Sequence, residues 1–430
     1  MSVEKQLRRY IVPNMLAMVG ISCYILADTF FISCAAGANG ITALNLTLPI
    51  YSLIFGIGSM IGVGFAIQYT LTRGHAAARS EAMFSYAVEW EILFSLIFVF
   101  MGILCPDKAL RLMGADEEIL ATGRAYLRIV LLFAPCFMLN YTFTSFVRND
   151  HAPKLAMAAT LSSSLFNILF DYLFMFPLGM GMAGAALATG LSPLVSILVC
   201  MAHYLSDRNT IVFHLLPPSI RCLFPACQAG IASLIGETAG GLTTTAFNYI
   251  LLGLSGNTAV AAYGIVANFA LVATAIFNGI AQGQQPILSE RYAKGDRDGI
   301  RKVLKHSTQI ALGIAACLVL CTLVFSGVLT DIFNSEGSVE LKQYATQGMR
   351  IYFAGFLFAA INIVKAGYFS AIDAPGKSFV IAMSRGLVSI TVFAFVLSRI
   401  SGVTGVWLSF PAAELFTWLL ARGIAGETDS

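Results

Sequence analysis

SLFNILFDYLFMFPLGMGMAGAALATG, residues 164–190, reads as the end of one membrane-spanning helix, a short turn and the start of the next. The stretch is apolar enough for lipid, yet it holds Asn167, Asp171 and Thr189. A carboxylate near the middle of a spanning helix costs about 2.5–3.5 kcal/mol on insertion scales. An acid retained there is a candidate for an ion or substrate site.

Working outward, the same composition fills the chain. Of 430 residues, 57% are hydrophobic and 11% charged, against about 25% charged in a soluble domain. Twelve apolar segments are long enough to cross a bilayer, which takes about 20 residues. They fall at 10–34, 44–70, 83–104, 123–146, 155–176, 183–204, 223–253, 259–287, 305–328, 344–370, 378–398 and 403–422, and are numbered here spans 1 to 12. They leave no room for a large soluble domain. The first is expected to be retained rather than cleaved. It is longer than a secretory apolar core of about 7–15 residues, carries Asp28 and leads straight into span 2. The nine cysteines show no CxxC spacing, and Cys317 and Cys321 read as small packing residues.

Charge sets the expected orientation. With the N-terminus in the cytoplasm, 17 of the 26 basic residues fall in inner loops. Only Lys108, Arg111, Arg124, Lys342 and Arg399 fall outside, and the acidic run Asp116-Glu117-Glu118 is outside too. That is a strong positive-inside bias, and it places both termini in the cytoplasm of a multi-pass protein of the inner, or plasma, membrane.

The second half echoes the first. NDHAPK at 149–154 faces IDAPGK at 372–377, an offset of 222 (374 − 152) between the two Ala-Pro steps. GMAGAALAT at 181–189 faces GVTGVWLSF at 402–410, and ITALNLTLPI at 41–50 faces AVAAYGIVAN at 259–268. Six spans per repeat put both repeats on the same side of the membrane, the parallel-repeat plan of secondary transporters. The expected fold is an all-α integral membrane protein with two six-helix bundles around a V-shaped central cavity. Its expected division is an N-terminal lobe at 1–205, a cytoplasmic linker at 206–222 stiffened by Pro217-Pro218, and a C-terminal lobe at 223–430.

Spans 1 and 5 run outward and span 6 runs inward, so Asp28, Asn167, Asp171 and Thr189 share one depth. Asn167 and Asp171 are four apart and share a helix face. Oxygen ligands suit a hard cation such as Na⁺, and two close carboxylates in a dry site suit a proton. Alternatively the four residues form a hydrogen-bonded network that only fixes packing. At the repeat offset the second half has Ser389 and Phe393 in place of Asn167 and Asp171, so this acid cluster is expected in the first bundle alone. Glu237, among Gly236, Gly240 and Gly241 in span 7, is a candidate for a cationic substrate or a proton. Lys365 in span 10 reads as snorkelling to the cytoplasmic face or as a partner of Glu237. Asn362 is the other polar residue there. Gln284, in the Gln282-Gly283-Gln284-Gln285-Pro286 end of span 8, reads as cavity lining, a hinge or packing. The small residues at 56–64 read as a helix-packing strip.

Taken together, these residues resemble the multidrug and toxic compound extrusion (MATE) family over essentially the whole chain. The likeness rests on Pro13 with Ala27-Asp28-Thr29, Asn167-x-x-x-Asp171, GMAGAALATG at 181–190 and the glutamine-rich end of span 8. It is nearest to the prokaryotic branch with a cation site in the N-terminal lobe. The resemblance implies that Asp28, Asn167, Asp171 and Thr189 form that site. Two features depart from the family pattern. Span 10 offers Asn362 and Lys365 where some relatives have a carboxylate, and the loop after span 2 reads Arg73-Gly74-His75 without the frequent acid.

The resulting expectation is a secondary active antiporter, not an enzyme. It would export amphipathic, cationic organic compounds in exchange for H⁺ or Na⁺ by alternating access. It would work as a monomer, with no cofactor beyond the coupling ion and no nucleic-acid partner. A flippase for lipid-linked oligosaccharide or peptidoglycan precursors is the alternative, but it calls for several cations in the spans. Only Arg128, Arg350, Lys365 and Arg385 are there. Five histidines and short loops offer no catalytic cluster.

Overall fold

In bilayer-spanning chains every backbone polar group must be bonded within the segment, which leaves helices as the element for runs like these. The computed structural model describes residues 3–73, 77–113, 115, 117–207, 209–333 and 338–426, and no strand occurs among them. Gly74, His75, Asp116 and Arg208 lie outside the described residues.

Among the described residues, eight helices are long and apolar enough to cross a bilayer, and two more spans are bent pairs. The eight include Val3–Ala36 (span 1), Ala43–Thr72 (span 2), Ser80–Leu104 (span 3), Pro153–Met175 (span 5) and Gly181–Leu205 (span 6). Thr258–Ala293 is span 8 and Arg297–Asp331 span 9. Span 7 is the arm of the helix Ile220–Ala293 that precedes a break at Ser255 and Gly256, where Gly256 has φ 67°. Pro375–Ile424 divides into spans 11 and 12 at Ser401 and Gly402, where Gly402 has φ 56°. Glycine adopts such positive φ without steric cost. Twelve spans result among the described residues. Several helices outrun their apolar segments, as at Val3 and Arg297. Charged residues such as Glu, Lys and Arg propagate helix well, so the rod continues past the lipid-facing run.

The direct repeat is written into the backbone. Span 4 is Glu117–Leu132 followed by Ala134–Asn149, bent by 45°. Span 10 is Val339–Ala354 followed by Phe356–Ala371, also bent by 45°, with all four bounds 222 residues on. Pro135 loosens the first bend by removing an amide donor. At the second, a side chain on Gly355 would collide with Phe410 and Pro411. The turns that follow match as well. His151 has φ 64° and Asp373 φ 58°, each followed by Ala-Pro. Ala152 N–H donates to Val147 O at 3.1 Å, and Ala374 N–H to Phe369 O at 2.9 Å, again 222 apart. Gly181 and Gly402 both take positive φ at the start of the last helix of each repeat.

By contacts the chain forms two units. The first, here the first bundle, is Val12–Thr238 with Ser289–Asp296. The second bundle is Met1–Ile11, Ala239–Leu288 and Arg297–Ser430. The chain passes from one to the other within span 7, because the first part of that helix packs on span 2. There, side chains on Gly64 and Gly230 would collide with the carbonyl oxygens of Ala226 and Met60. The small-residue strip at 56–64 therefore works as expected in lipid, letting two backbones touch. The core of the first bundle is rich in rings, including Phe65, Phe84, Trp90, Tyr126 and Phe146.

The linker is strapped to the first bundle. Asp150, in the turn after span 4, is fully buried and accepts from Thr210 N–H (2.8 Å), Thr210 Oγ1 (2.5 Å) and Tyr69 OH (3.0 Å). His203 Nε2 lies 2.8 Å away and Arg73 Nη1 3.1 Å. Further on, His214 N–H donates to Ser85 Oγ at 2.9 Å and Leu216 N–H to Glu89 Oε1 at 2.7 Å.

Candidate functional site: a carboxyl pair in the first bundle

Spans 1, 5 and 6 bring the four expected residues together. Spans 1 and 5 run side by side, since a side chain on Gly20 would meet Leu161 and Ser164. Two helical turns further along both rods come Asp28 and Asp171, at the same level. Spans 5 and 6 close on each other where Gly184 faces the backbone of Phe174. That places Thr189 opposite Asn167, whose Nδ2 donates to Thr189 Oγ1 at 3.1 Å. All four side chains are buried.

The polar bookkeeping of this site is lopsided. The carboxyl groups of Asp28 and Asp171 lie within hydrogen-bonding reach of each other. Yet Asp28 Oδ1, both oxygens of Asp171 and Asn167 Oδ1 have no donor supplied by a neighbouring group. Two carboxyls can bond to each other only through a proton, and four acceptors without donors are an incomplete set. Buried acceptors are normally satisfied. The donor set is all oxygen, uncharged or anionic, which fits a proton or a hard monovalent cation.

Phenols lie near the pair. Tyr24, one turn before Asp28, lies in the field of Asp28, Asp171 and Glu237, and Tyr126 in that of Asp28 and Asp171. Tyr51 lies in the field of Tyr126, Tyr24 and Asp28. Glu237 belongs to this same neighbourhood. It is half-buried at the end of the first bundle's share of span 7, and Tyr141 OH donates to its Oε1 at 3.3 Å. Phe55 meets Tyr141 edge to face at 6.1 Å.

The other candidates sit in the second bundle. Asn362 and Gln284 are buried and bonded there. Gln284 Nε2 donates to Val364 O at 2.7 Å, tying span 8 to span 10. Asn362 Nδ2 donates to Glu414 Oε2 at 2.7 Å and Glu414 O at 2.9 Å. Lys365 is half-buried. Among the acids inside apolar segments that escaped the sequence reading, two are Glu91 in span 3 and Glu414 in span 12. Both are almost wholly buried. Glu414 adds a buried acid to the second bundle, away from the repeat positions of Asn167 and Asp171, and it is held by Arg385 and Asn362. The same test that found Asp28, a carboxylate inside a spanning run, would have found both. The phenol ring was legible only in part, through the spacing of Tyr24 and Asp28.

Twelve spans in a direct repeat, with an unsatisfied carboxyl pair buried between three of them, define a multi-pass membrane transporter rather than an enzyme. The chain belongs to the MatE family, whose model matches residues 13–173 and 241–396. It is 25% identical over 423 residues to the multidrug export protein MepA of Staphylococcus saprophyticus, covering 98% of this chain and 93% of that one. Among solved structures, it resembles a multidrug resistance MATE family transporter of the MOP superfamily in an outward-facing conformation. The TM-score is 0.89 at 22% identity, over 100% of this chain and 98% of that one. A MATE crystal structure in complex with MaL6 gives a TM-score of 0.91 at 21% identity, over 100% and 98% of the two chains. The twelve-helix fold and the cell-membrane assignment therefore stand.

Proposed function

We propose that this protein is a multidrug efflux antiporter that exports amphipathic organic cations in exchange for H⁺ or Na⁺. The observation that carries the reading is the Asp28–Asp171 pair, with four buried oxygens awaiting a donor or a cation beside the Asn167–Thr189 bond. The drug-export relatives support the class of cargo. Glu237, capped by the Tyr141 hydroxyl, with Tyr24 in its field and Phe55 edge-on to Tyr141, offers a carboxylate near rings, the chemistry that recognises an organic cation. In this reading the N-terminus is cytoplasmic, Asp28 and Asp171 bind the coupling ion, and Glu237 meets the cargo. Ion and cargo each favour a different state of one alternating-access equilibrium, so binding of one promotes release of the other.

The test is export of a fluorescent cationic dye from drug-sensitive cells, wild type against Asp171→Asn at equal membrane expression. The reading requires export by wild type and its loss in the variant. Equal export by both would make the pair structural and move attention to Glu237. No export by either would favour the flippase alternative. Na⁺ against H⁺ dependence of the wild-type signal then names the ion.

A further inference from the structure

The second bundle holds a buried ion pair that export through the first bundle does not use. Arg385 donates to Glu414 Oε1 through Nε at 3.1 Å and Nη2 at 2.9 Å, and Asn362 Nδ2 donates to Oε2. The side chain of Glu414 is 1% exposed and that of Arg385 17%. Taking two charges out of water is seldom repaid by their attraction alone, so packing does not account for the pair. Arg385 lies on a π-helical turn, Ser384–Val388, inside an otherwise α-helical span. Such turns gather at functional sites because the extra residue redirects a side chain. Asn362 Oδ1, also buried, accepts no hydrogen bond. Rings stand beside the charges. Tyr352 lies in the field of both Glu414 and Arg385, and it stacks on Phe410 with centroids 4.1 Å apart.

A carboxylate, an amide oxygen without a donor and stacked rings are the parts of a cation site. We infer that Glu414 and Asn362 form a cation site in the second bundle whose resident ligand is the protein's own guanidinium, Arg385. Arg385 is thus a tethered counter-ion that keeps this site closed to small guanidinium or ammonium ions. The first bundle's pair, by contrast, is left for an exchangeable ion. The inference concerns binding, so it stands or falls apart from the coupling assignment above.

The test uses purified full-length protein and low-millimolar methylguanidinium, well below denaturing concentrations, with thermal unfolding as the readout. Arg385→Ala should be stabilised by several degrees in a saturable way, as expected for a ligand that binds the folded state. Wild type should not respond, because its own arginine fills the site. Arg385→Ala/Glu414→Gln should not respond either, because the carboxylate is gone. A response of Arg385→Ala no larger than wild type, or an equal response of the double variant, overturns the proposal. If Arg385→Ala does not fold, recovery of folding in the double variant supports the charge pairing, and continued failure overturns it.

Discussion

The two bundles share a backbone and differ in what they do with charge. Bends of 45° in spans 4 and 10, and positive φ at His151 and Asp373, repeat in register. The side chains do not. Where the first bundle has Asn167, Asp171 and Thr189, the second has Ser389, Phe393 and Phe410. Where the second has Arg385 and Glu414, the first has Ser163 and Pro193. Asn140 and Asn362 are kept, and both leave Oδ1 without a donor. The Asp28–Asp171 pair of the first bundle thus stands without a bonded cation among the described residues, whereas Glu414 of the second is held by Arg385. On the readings proposed above, the duplicated scaffold keeps its packing while one copy holds an exchangeable site and the other closes its own.

The sharpest way to break that contrast is to neutralise each acid in turn. Asp171→Asn should lower apparent coupling-ion affinity by about 10- to 100-fold, the size of a lost charged interaction, and dye efflux should fall with it. Asp28→Asn should act in the same direction. Glu414→Gln should act mainly on stability, because it strands a buried guanidinium. Breaking one side of such a pair costs about 3–5 kcal/mol, visible as a lowered thermal midpoint of the purified protein. If Glu414→Gln instead stopped transport with no loss of stability, the division of labour between the bundles would be wrong.

The turns after spans 4 and 10 give a second, smaller comparison. Burial alone would raise the Asp150 carboxyl. Bonds from Thr210, His203 and Tyr69 outweigh it and hold the group below the usual carboxylate range. A depressed folded value means that its stabilisation is present above the unfolded value, about 3.9. It is lost as pH falls through the lower folded value. Asp150→Asn should cost about 2–3 kcal/mol at neutral pH, since hydrogen bonds to a charged, buried acceptor are lost. It should also flatten the acid limb of a stability–pH curve. Unchanged acid sensitivity would mean that the linker strap does not depend on that charge.

Much of this was legible in the residues, and the exceptions have physical causes. The spans, the repeat register and the Asp28, Asn167, Asp171 and Thr189 set follow from apolar run length, from Ala152-Pro153 matching Ala374-Pro375, and from shared depth. The membership of Glu237 did not. The lobe boundary expected at 223 puts all of span 7 in the C-terminal lobe, and only packing such as that of Gly230 on Met60 assigns its first part to the first bundle. The Asp150 strap was hidden because its donors come from residues 53 and more positions away, His203 and Thr210 among them. Arg385 read as an isolated basic residue, since pairing with Glu414 across 29 positions leaves no local pattern.

The smallest expected effect lies at Asp373, the structural counterpart of His151. Burial raises its carboxyl above the ordinary value. A raised folded value means that the folded state favours the proton, so this group stabilises at low pH and loses that contribution as pH rises through the folded value. Asp373→Asn removes the charge and keeps a residue type that tolerates the positive φ of 58°. The variant should therefore match wild type at acid pH and equal or slightly exceed it at neutral pH, within about 0.5 kcal/mol, as expected for a peripheral substitution. At the first bundle's turn, removing the Asp150 charge should have the opposite sign and the larger size. Thermal midpoints of both variants at neutral and acid pH would decide it. A neutral-pH loss for Asp373→Asn as large as that for Asp150→Asn would mean that the second turn also anchors chain through its carboxylate, and that the bundles are more alike in chemistry than their side chains indicate.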